Sequence, residues 1–576
     1  MASRIPQDIQ RRAFDVIVVG AGINGAGVAR DAAMRGLRVL LLDKGDISSG
    51  TTQWATRLIH GGLRYLEHYE FALVRESLRD REALLHVAQH LVRPLGFLVP
   101  IYGRSSRGPL MIRLGMHVYD TLSFDKSMDR HEMLSRKQVE EREPGLNAEG
   151  LKAAAFYYDA QVEYAERVAV ENAISARDHG ATVITYANVE TLILEDGDVK
   201  GVEFTDVFDG ERYAVRAPVT VNVAGPWVDE ILADLQRPGT HKDVGRFMGG
   251  TKGSHLIVDS FPGAPRDEAL YIEAREDGRP YFIVPWNGRY LIGTTDIRYE
   301  GNLDYVSASE EEIQYLLDET NHVIPGARLS REDVLYTYAG VRPLPFNPEG
   351  ETGGVTRSHV VFDHAKGGSA AGGKVKSQSA ELPPVGGLLS IVGGKLTTYL
   401  NLSRQTVDAV FKKLHRKGPK STSRKDPLPG SETSDFEAFA AGYKSASTIP
   451  EILSERLLKL YGVRTAEVLR LGEGNPDLLT PLSPIESVET AVIGAEVIWA
   501  FREEMAETLS DVLLRRTMAG YGPRVGLDVA EAAAEVAVKH LGWEQERAER
   551  EVREYREWIK RYTPKELRDQ ETSPAQ

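Results

Sequence analysis

Short apolar runs alternate with helical-period segments early in the chain. Strands and turns follow, and the end reads as helices alone. Asp15–Val19 is a valine-rich run with no polar alternation, which predicts a strand buried on both faces of a parallel sheet. Val28–Arg35 continues at helical spacing, and Val39–Leu42 is a second apolar run that ends on Asp43. Residues 61–150 read as helix-rich, with LEHYEFALVRESLRDREALLHVAQHL (66–91) repeating at helical period. Over 165–226 the pattern predicts a helix at Ala165–His179, then strands at Ala181–Tyr186, Val189–Glu195, Val199–Asp206 and Val219–Val223. Residues 245–345 alternate short strands with turns, as suits a sheet covering a ligand. Lys366–Pro384 is too rich in Gly, Ser and Ala to pack and is expected to be a flexible surface insertion. Leu389–Val392 is a further buried strand, and GGKLTTY (393–399) opens a helix through about Leu414. The Lys-, Pro- and Ser-rich stretch 416–435 predicts a linker, 436–562 a separate helical cap, and the tail from Thr563 a frayed end.

With 576 residues the chain exceeds one core, so two or three domains are expected. A net charge of −14 argues against general nucleic-acid binding. No apolar run approaches the ~20 residues that cross a bilayer, and the N-terminus lacks a signal peptide's apolar segment. The expectation is a cytoplasmic protein, or one attached to its membrane from one side. The absence of cysteine rules out disulfides, thiolate metal sites, catalytic thiols and a cysteinyl flavin. The 14 histidines form no metal-ligand pattern, so no metal is expected.

Between the first two strands lie Gly20, Gly22 and Gly25 in GxGxxG spacing. In a chain with 54 glycines that spacing also arises by chance. The strand before it, the helix after it and Asp43 at the next strand end make it a dinucleotide site. Gly20 permits the tight turn, Gly22 lets backbone N–H groups approach a pyrophosphate, and Gly25 lets helix and sheet pack closely. Asp43 suits the adenosine ribose hydroxyls. Two later segments have a similar strand-to-small-residue turn: VNVAGPWVD (221–229), with Ala224 and Gly225, and LLSIVGGKLTTY (388–399), with Gly394. A nucleotide domain assembled from pieces near residues 20, 225 and 395 is discontinuous, which favours FAD over a nicotinamide. The fold class is therefore α/β: a discontinuous Rossmann-like FAD-binding domain with an inserted mixed α+β substrate domain, plus an all-α C-terminal domain. The FAD-dependent part is placed at 14–415, with FAD pieces near 14–75, 165–230 and 386–415 and substrate parts near 76–164 and 231–385. The linker is 416–435 and the helical domain 436–562.

GINGAGVARDAAMRGLRVLLLDKGD (22–46), RLIHGGLRYLEHYEF (57–71), TKGSHLIVD (251–259), IGTTDIRYEG (292–301), YAGVRPL (338–344) and IVGGKLTTY (391–399) occur in that order. Together they resemble the aerobic, quinone-linked, FAD-dependent glycerol-3-phosphate dehydrogenases. REEMAETLSDVLLRRT (502–517) resembles that family's C-terminal helical domain. The resemblance spans roughly 14–560 and departs from the family at the Gly/Ser-rich insertion.

The resemblance implies oxidation of sn-glycerol 3-phosphate to dihydroxyacetone phosphate by hydride transfer to FAD, with electrons passed to a membrane quinone. It places Arg64 and Arg342 on the substrate phosphate, where a guanidinium fork matches the oxygens. It makes His255 the candidate base and Lys395 a cation beside the flavin or substrate, so the catalytic set is His255, Arg342 and Lys395. Tyr65 is a substrate contact or a core aromatic. His60 is a weaker rival for the base and belongs near the flavin with Gly61 and Gly62. Ser48, Thr51 and Thr52 line the cofactor or form a plain loop; Leu396 and Thr397 join Gly394 and Lys395, with Thr397 and Thr398 as flavin contacts or helix caps. Arg104–Val118 combines arginines with apolar residues and suits a lipid interface as well as a buried helix. A homodimer is an open expectation. The alternative function is a glycerol-3-phosphate oxidase, which uses oxygen and releases hydrogen peroxide. More distant rivals are an amine or amino-acid oxidase and a flavin-binding protein without turnover.

Overall fold

The computed structural model describes residues 4–67, 69–103, 105, 107–235, 246–347, 355–373 and 384–572. The unalternating apolar runs form the middle of a seven-stranded sheet. Its order is Gly368–Gly372, Val360–Asp363, Leu388–Val392, Val219–Asn222, Val16–Val19, Val39–Leu42 and Thr182–Ile184. The last five strands are parallel, with Val18 opposite both Val221 and Leu41. The first two run antiparallel to their neighbours. Burial on both faces explains the lack of alternation. Val16 and Val18 pack with helices Ile23–Met34, Ala165–Asp178 and Tyr399–Lys413, whereas Ile17 and Val19 face the three-stranded sheet Ala187–Glu195, Asp198–Asp206 and Arg212–Arg216.

A second, ten-stranded sheet is mostly antiparallel. Its central path runs Ile297–Arg298, Thr251–Val258, Arg289–Gly293, Pro280–Trp286, Glu268–Glu273, Val92–Tyr102, Leu151–Val162 and Leu58–Ile59. Val334–Arg342 adds to Thr251–Val258 with Thr251 opposite Arg342 and His255 opposite Tyr338. Glu132–Ser135 adds to Leu151–Val162.

Three expectations need correction. The stretch 61–150 is not simply helix-rich, because Val92–Tyr102 is an eleven-residue strand. It is buried almost throughout and carries Pro94, Gly96 and Pro100, so it lacks the strand's polar alternation. Within the expected flexible insertion, Gly368–Gly372 is a sheet-edge strand against Val360–Asp363, while 374–383 lies outside the described residues. The tail does not fray at Thr563: helix Lys565–Thr572 docks as Lys565 Nζ donates to the Glu332 carbonyl (2.6 Å) and Arg568 to the Val334 carbonyl (2.9 Å). The helical residues from 436 onward form an all-α C-terminal domain that packs against the larger sheet. Tyr521, Tyr555 and Tyr562 share one core with Trp286, Tyr336 and Tyr338 of the larger sheet. The stretch expected as a linker is laid against the nucleotide domain, where buried Arg30 donates to the carbonyls of Ser423 (3.2 Å) and Asp426 (2.7 Å).

Candidate active site

The glycine turn behaves as its spacing predicts. Gly20 has φ +107°, and a Cβ there would lie 2.6 Å from the Val223 carbonyl oxygen; a Cβ on Gly25 would lie 1.7 Å from the Gly20 carbonyl oxygen. Gly22 caps helix Ile23–Met34, whose first amide (Ile23) donates to Thr52 Oγ1 at 3.0 Å. At the next strand end, Asp43 accepts from the amides of Ala21 (2.5 Å) and Gly45 (2.8 Å). Burial pushes its carboxyl up to about 6, against the pull of those two amides.

The other cofactor candidates converge on this turn. Ala224 and Gly225 follow strand Val219–Asn222, and Val223 touches Gly20. Gly394, at φ +110°, lies against Asn24. Ser48 is buried, its amide donating to the Ala21 carbonyl at 3.1 Å. Thr51 Oγ1 donates to the Val341 carbonyl at 2.7 Å, next to Arg342. Ser48 Oγ, Asn24 Oδ1, Trp227 Nε1 and Thr398 Oγ1 are buried without a hydrogen-bond partner among the described residues. Each such group costs ~1–3 kcal/mol if left unpaired. A glycine cradle rimmed by orphaned donors and acceptors fits a dinucleotide with a flavin head.

At the far end of the cradle the chemistry-bearing side chains meet. The amide of His60 donates to Thr397 Oγ1 at 3.3 Å; burial, then Lys395, hold its imidazole down to about 3. Lys395 Nζ stands 4.4 Å from the Tyr65 ring centre and 3.3 Å from Ser77 Oγ. Leu396 is half-buried beside it. Gly61 and Gly62 have a packing reason of their own, since Cβ atoms there would strike Tyr119 and the Tyr65 ring. His255 is 2% exposed, with Nε2 2.9 Å from Thr56 Oγ1 and its ring 4.7 Å from that of Tyr338. Burial, then Arg342 and Arg57, hold it well below the usual histidine range, so it is neutral.

Arg342 is locked in place. Its Nη1 donates to Asp296 Oδ1 (3.0 Å) and Thr251 Oγ1 (3.4 Å), and its Nη2 to Thr294 Oγ1 (2.9 Å) and the Thr295 carbonyl (3.1 Å). Asp296 also pairs with Arg357 at 3.3 Å and Arg279 at 3.7 Å. Burial raises the Asp296 carboxyl, but Arg342 and then Arg357 outweigh it and hold it below the usual range. Three guanidiniums around one carboxylate leave a surplus of positive charge. The guanidinium of Arg64, on the turn Leu63–Leu66, makes no hydrogen bond or ion pair among the described residues, so its fork is free.

Sequence reasoning missed Thr56, Asp296, Arg357 and Ser77. Thr56 and Arg357 lie outside every candidate motif, and a partner 199 residues away is invisible to spacing. It also missed the clamp on the cofactor loop. Asp46 is buried between Arg515 (2.6 Å) and Arg516 (2.8 Å), and Gln53 donates to the Tyr562 hydroxyl at 2.8 Å. Among the described residues no cluster of His, Asp and Glu could hold a metal ion.

A family model described as FAD dependent oxidoreductase matches residues 15–372, and one described as the C-terminal domain of alpha-glycerophosphate oxidase matches 421–548. The chain is 44% identical to the glycerol-3-phosphate dehydrogenase of Synechocystis sp., covering 96% of this chain and 97% of that one. It is 37% identical to the D-erythritol 1-phosphate dehydrogenase of Brucella abortus, covering 87% and 94%. The solved structure of the glycerol-3-phosphate dehydrogenase from Bacillus halodurans complexed with FAD matches with a TM-score of 0.76 at 26% identity, covering 99% of this chain and 98% of that one. This chain belongs to the FAD-dependent glycerol-3-phosphate dehydrogenase family.

Proposed function

We propose that the protein oxidises sn-glycerol 3-phosphate to dihydroxyacetone phosphate and passes the electrons to a membrane quinone. The observation that carries this is the meeting of a neutral histidine, a surplus of guanidinium charge and Lys395 at one end of a dinucleotide cradle. FAD, when bound, supplies the acceptor for the hydride leaving carbon. The protein's part is to hold the phosphate, orient the secondary alcohol and take its proton. Arg64 offers its free fork to the phosphate. Arg342, with most of its N–H groups already committed, contributes fixed charge and one remaining donor. His255 takes the hydroxyl proton. A phosphate dianion beside Arg342 offsets the second largest cause of that histidine's low proton affinity, so substrate binding itself makes the base stronger. Lys395 stabilises negative charge at the flavin edge.

The route to quinone is supported by helix Pro109–Leu122. It buries Met116 and Tyr119 yet leaves Leu110 82%, Met111 62% and Leu114 62% exposed, with Phe124 at 77% just beyond. Arg107 and Arg113 flank these residues; Arg104 lies outside the described ones. Such a face suits the interface of an anionic membrane. Among the described residues no helix is long and apolar enough to cross a membrane, so the proposal is one-sided attachment at the cytoplasmic face.

Steady-state turnover tests the proposal. Glycerol 3-phosphate should reduce a quinone analogue rapidly, glycerol should not, and hydrogen peroxide should be a minor product in air. Stoichiometric peroxide would make the protein the oxidase instead. A preference for D-erythritol 1-phosphate would move the substrate to that relative's.

A further inference from the structure

Away from the flavin, a cavity of about 340 Å³ lies where helices Phe71–Val87 and Tyr399–Lys413 meet the strap at 416–435. Four cations line it, Arg79, Arg404, Arg424 and Lys425, together with the hydroxyls of Ser421 and Ser423 and a floor at Leu400. Among the described residues no carboxylate does. In a chain of net charge −14 this is a local concentration of positive charge, not a reflection of composition. Two of the cations are neutralised from behind: Arg424 Nε donates to Asp80 Oδ1 at 2.6 Å and Arg404 Nη1 to Asp408 Oδ2 at 3.0 Å. The side chains of Arg79 and Lys425 make no hydrogen bond or ion pair among the described residues. Like charges brought together over an apolar floor repel, and a concave wall focuses their field; an anion relieves both. The volume matches the small end of ligand sites, which begin at roughly 300 Å³.

The cavity is also wired to the flavin end. Ser77, two residues before Arg79 on the same helix, holds Lys395 Nζ at 3.3 Å. Helix Tyr399–Lys413, which carries Arg404, begins four residues after Lys395. The Asn401 amide at its start donates to Asp80 Oδ2 at 2.9 Å, tying the two helices together.

We propose that this cavity is a second anion site, apart from the substrate pocket, that takes a small phosphate (inorganic phosphate or a phosphate monoester) and regulates the enzyme by bracing the two helices that fix Lys395. Phosphate oxygens would accept from the arginine forks and Lys425; the serine hydroxyls are already engaged, Ser421 Oγ donating to Asp31 Oδ1 and lying 3.0 Å from Ser423 Oγ. The inference rests on the cavity and not on the identity of the oxidised alcohol.

The test is calorimetric titration of the FAD-loaded full chain with inorganic phosphate and, separately, with ribose 5-phosphate, at constant ionic strength. The partner protein is the Arg79→Glu/Lys425→Glu variant, and Lys425→Ala is the milder control. Both positions are exposed, so the fold should be kept, and an unchanged melting temperature checks it. Wild type should show a site that the double variant loses, with at least tenfold weaker binding, and that Lys425→Ala weakens less. Saturation of that site should shift the flavin absorbance spectrum in wild type only. Which probe binds more tightly distinguishes the free ion from an ester. Equal stoichiometry and affinity in wild type and double variant, or equal displacement by chloride, would overturn the site. Binding without any flavin change would overturn the regulatory coupling.

Discussion

Arg64→Ala separates phosphate binding from folding more cleanly than any other substitution in the site. Arg342 holds Asp296, Thr294 and the Thr295 carbonyl, so its removal disturbs the sheet as well as the substrate. The Arg64 side chain holds nothing among the described residues, and its loss should leave the melting temperature unchanged. A guanidinium fork on a phosphate makes two charge-assisted hydrogen bonds, each about 1.5–3 kcal/mol. Losing both removes about 3–6 kcal/mol of transition-state binding, a fall of roughly 10²–10⁴ in kcat/KM. The assay is dye-linked turnover with glycerol 3-phosphate, alongside FAD content and a melting curve. A fall below tenfold at normal FAD content would refute the assignment of the free fork to the phosphate. A melting temperature lowered by several degrees would refute the claim that Arg64 has no structural duty.

Gly25→Ala should yield a protein that does not retain FAD, because its Cβ would lie 1.7 Å from the Gly20 carbonyl oxygen; absorbance of the purified variant reads this directly. Asp46→Asn leaves Arg515 and Arg516 buried without their shared carboxylate and should destabilise the protein by about 3–5 kcal/mol, seen in denaturant unfolding as earlier flavin release. Asp43 gives a pH dependence. Burial raises its carboxyl to about 6, and ribose hydroxyls favour the ionised form, so FAD binding should expel a proton. Affinity of the apoprotein for FAD should therefore weaken as pH falls through 6, by up to about fivefold between pH 6 and 5. For the apoprotein alone the sign is opposite: a carboxyl raised by folding favours the folded state at low pH, and this contribution is lost as pH rises through about 6. Fluorescence titrations at pH 5, 6 and 7.5 measure the binding effect, and a flat profile would contradict it.

What the sequence made legible was local. The Gly20–Gly25 turn is legible because glycine geometry at a strand–helix junction leaves few alternatives, and the parallel strands because double burial writes an unbroken apolar run. Strand Val92–Tyr102 is doubly buried too, but its prolines and its place after an amphipathic helix hide it. Gly368–Gly372 carries almost no side-chain information and forms a strand only because the Val360–Asp363 edge is there to pair with. Lys565–Thr572 has Leu567 as its one apolar residue and is held largely by hydrogen bonds to a distant backbone, which no periodicity records. In the site, a motif can name His255 or Arg342. It cannot say that Thr56 stands against the imidazole, or that four of the arginine's donors are already taken. Those facts depend on which strands become neighbours. The Asp46 clamp joins residues about 470 positions apart and exists only once the helical region has docked.

The central claim is that a polyol phosphate is oxidised at the end of the FAD cradle, and anaerobic mixing tests it most directly. The FAD-loaded protein is combined with sn-glycerol 3-phosphate in the absence of oxygen and quinone, and flavin absorbance is followed at about 450 nm. Rapid bleaching with glycerol 3-phosphate, none with glycerol and recovery on adding a quinone analogue is the predicted result. A flavin that stays oxidised with glycerol 3-phosphate would contradict it.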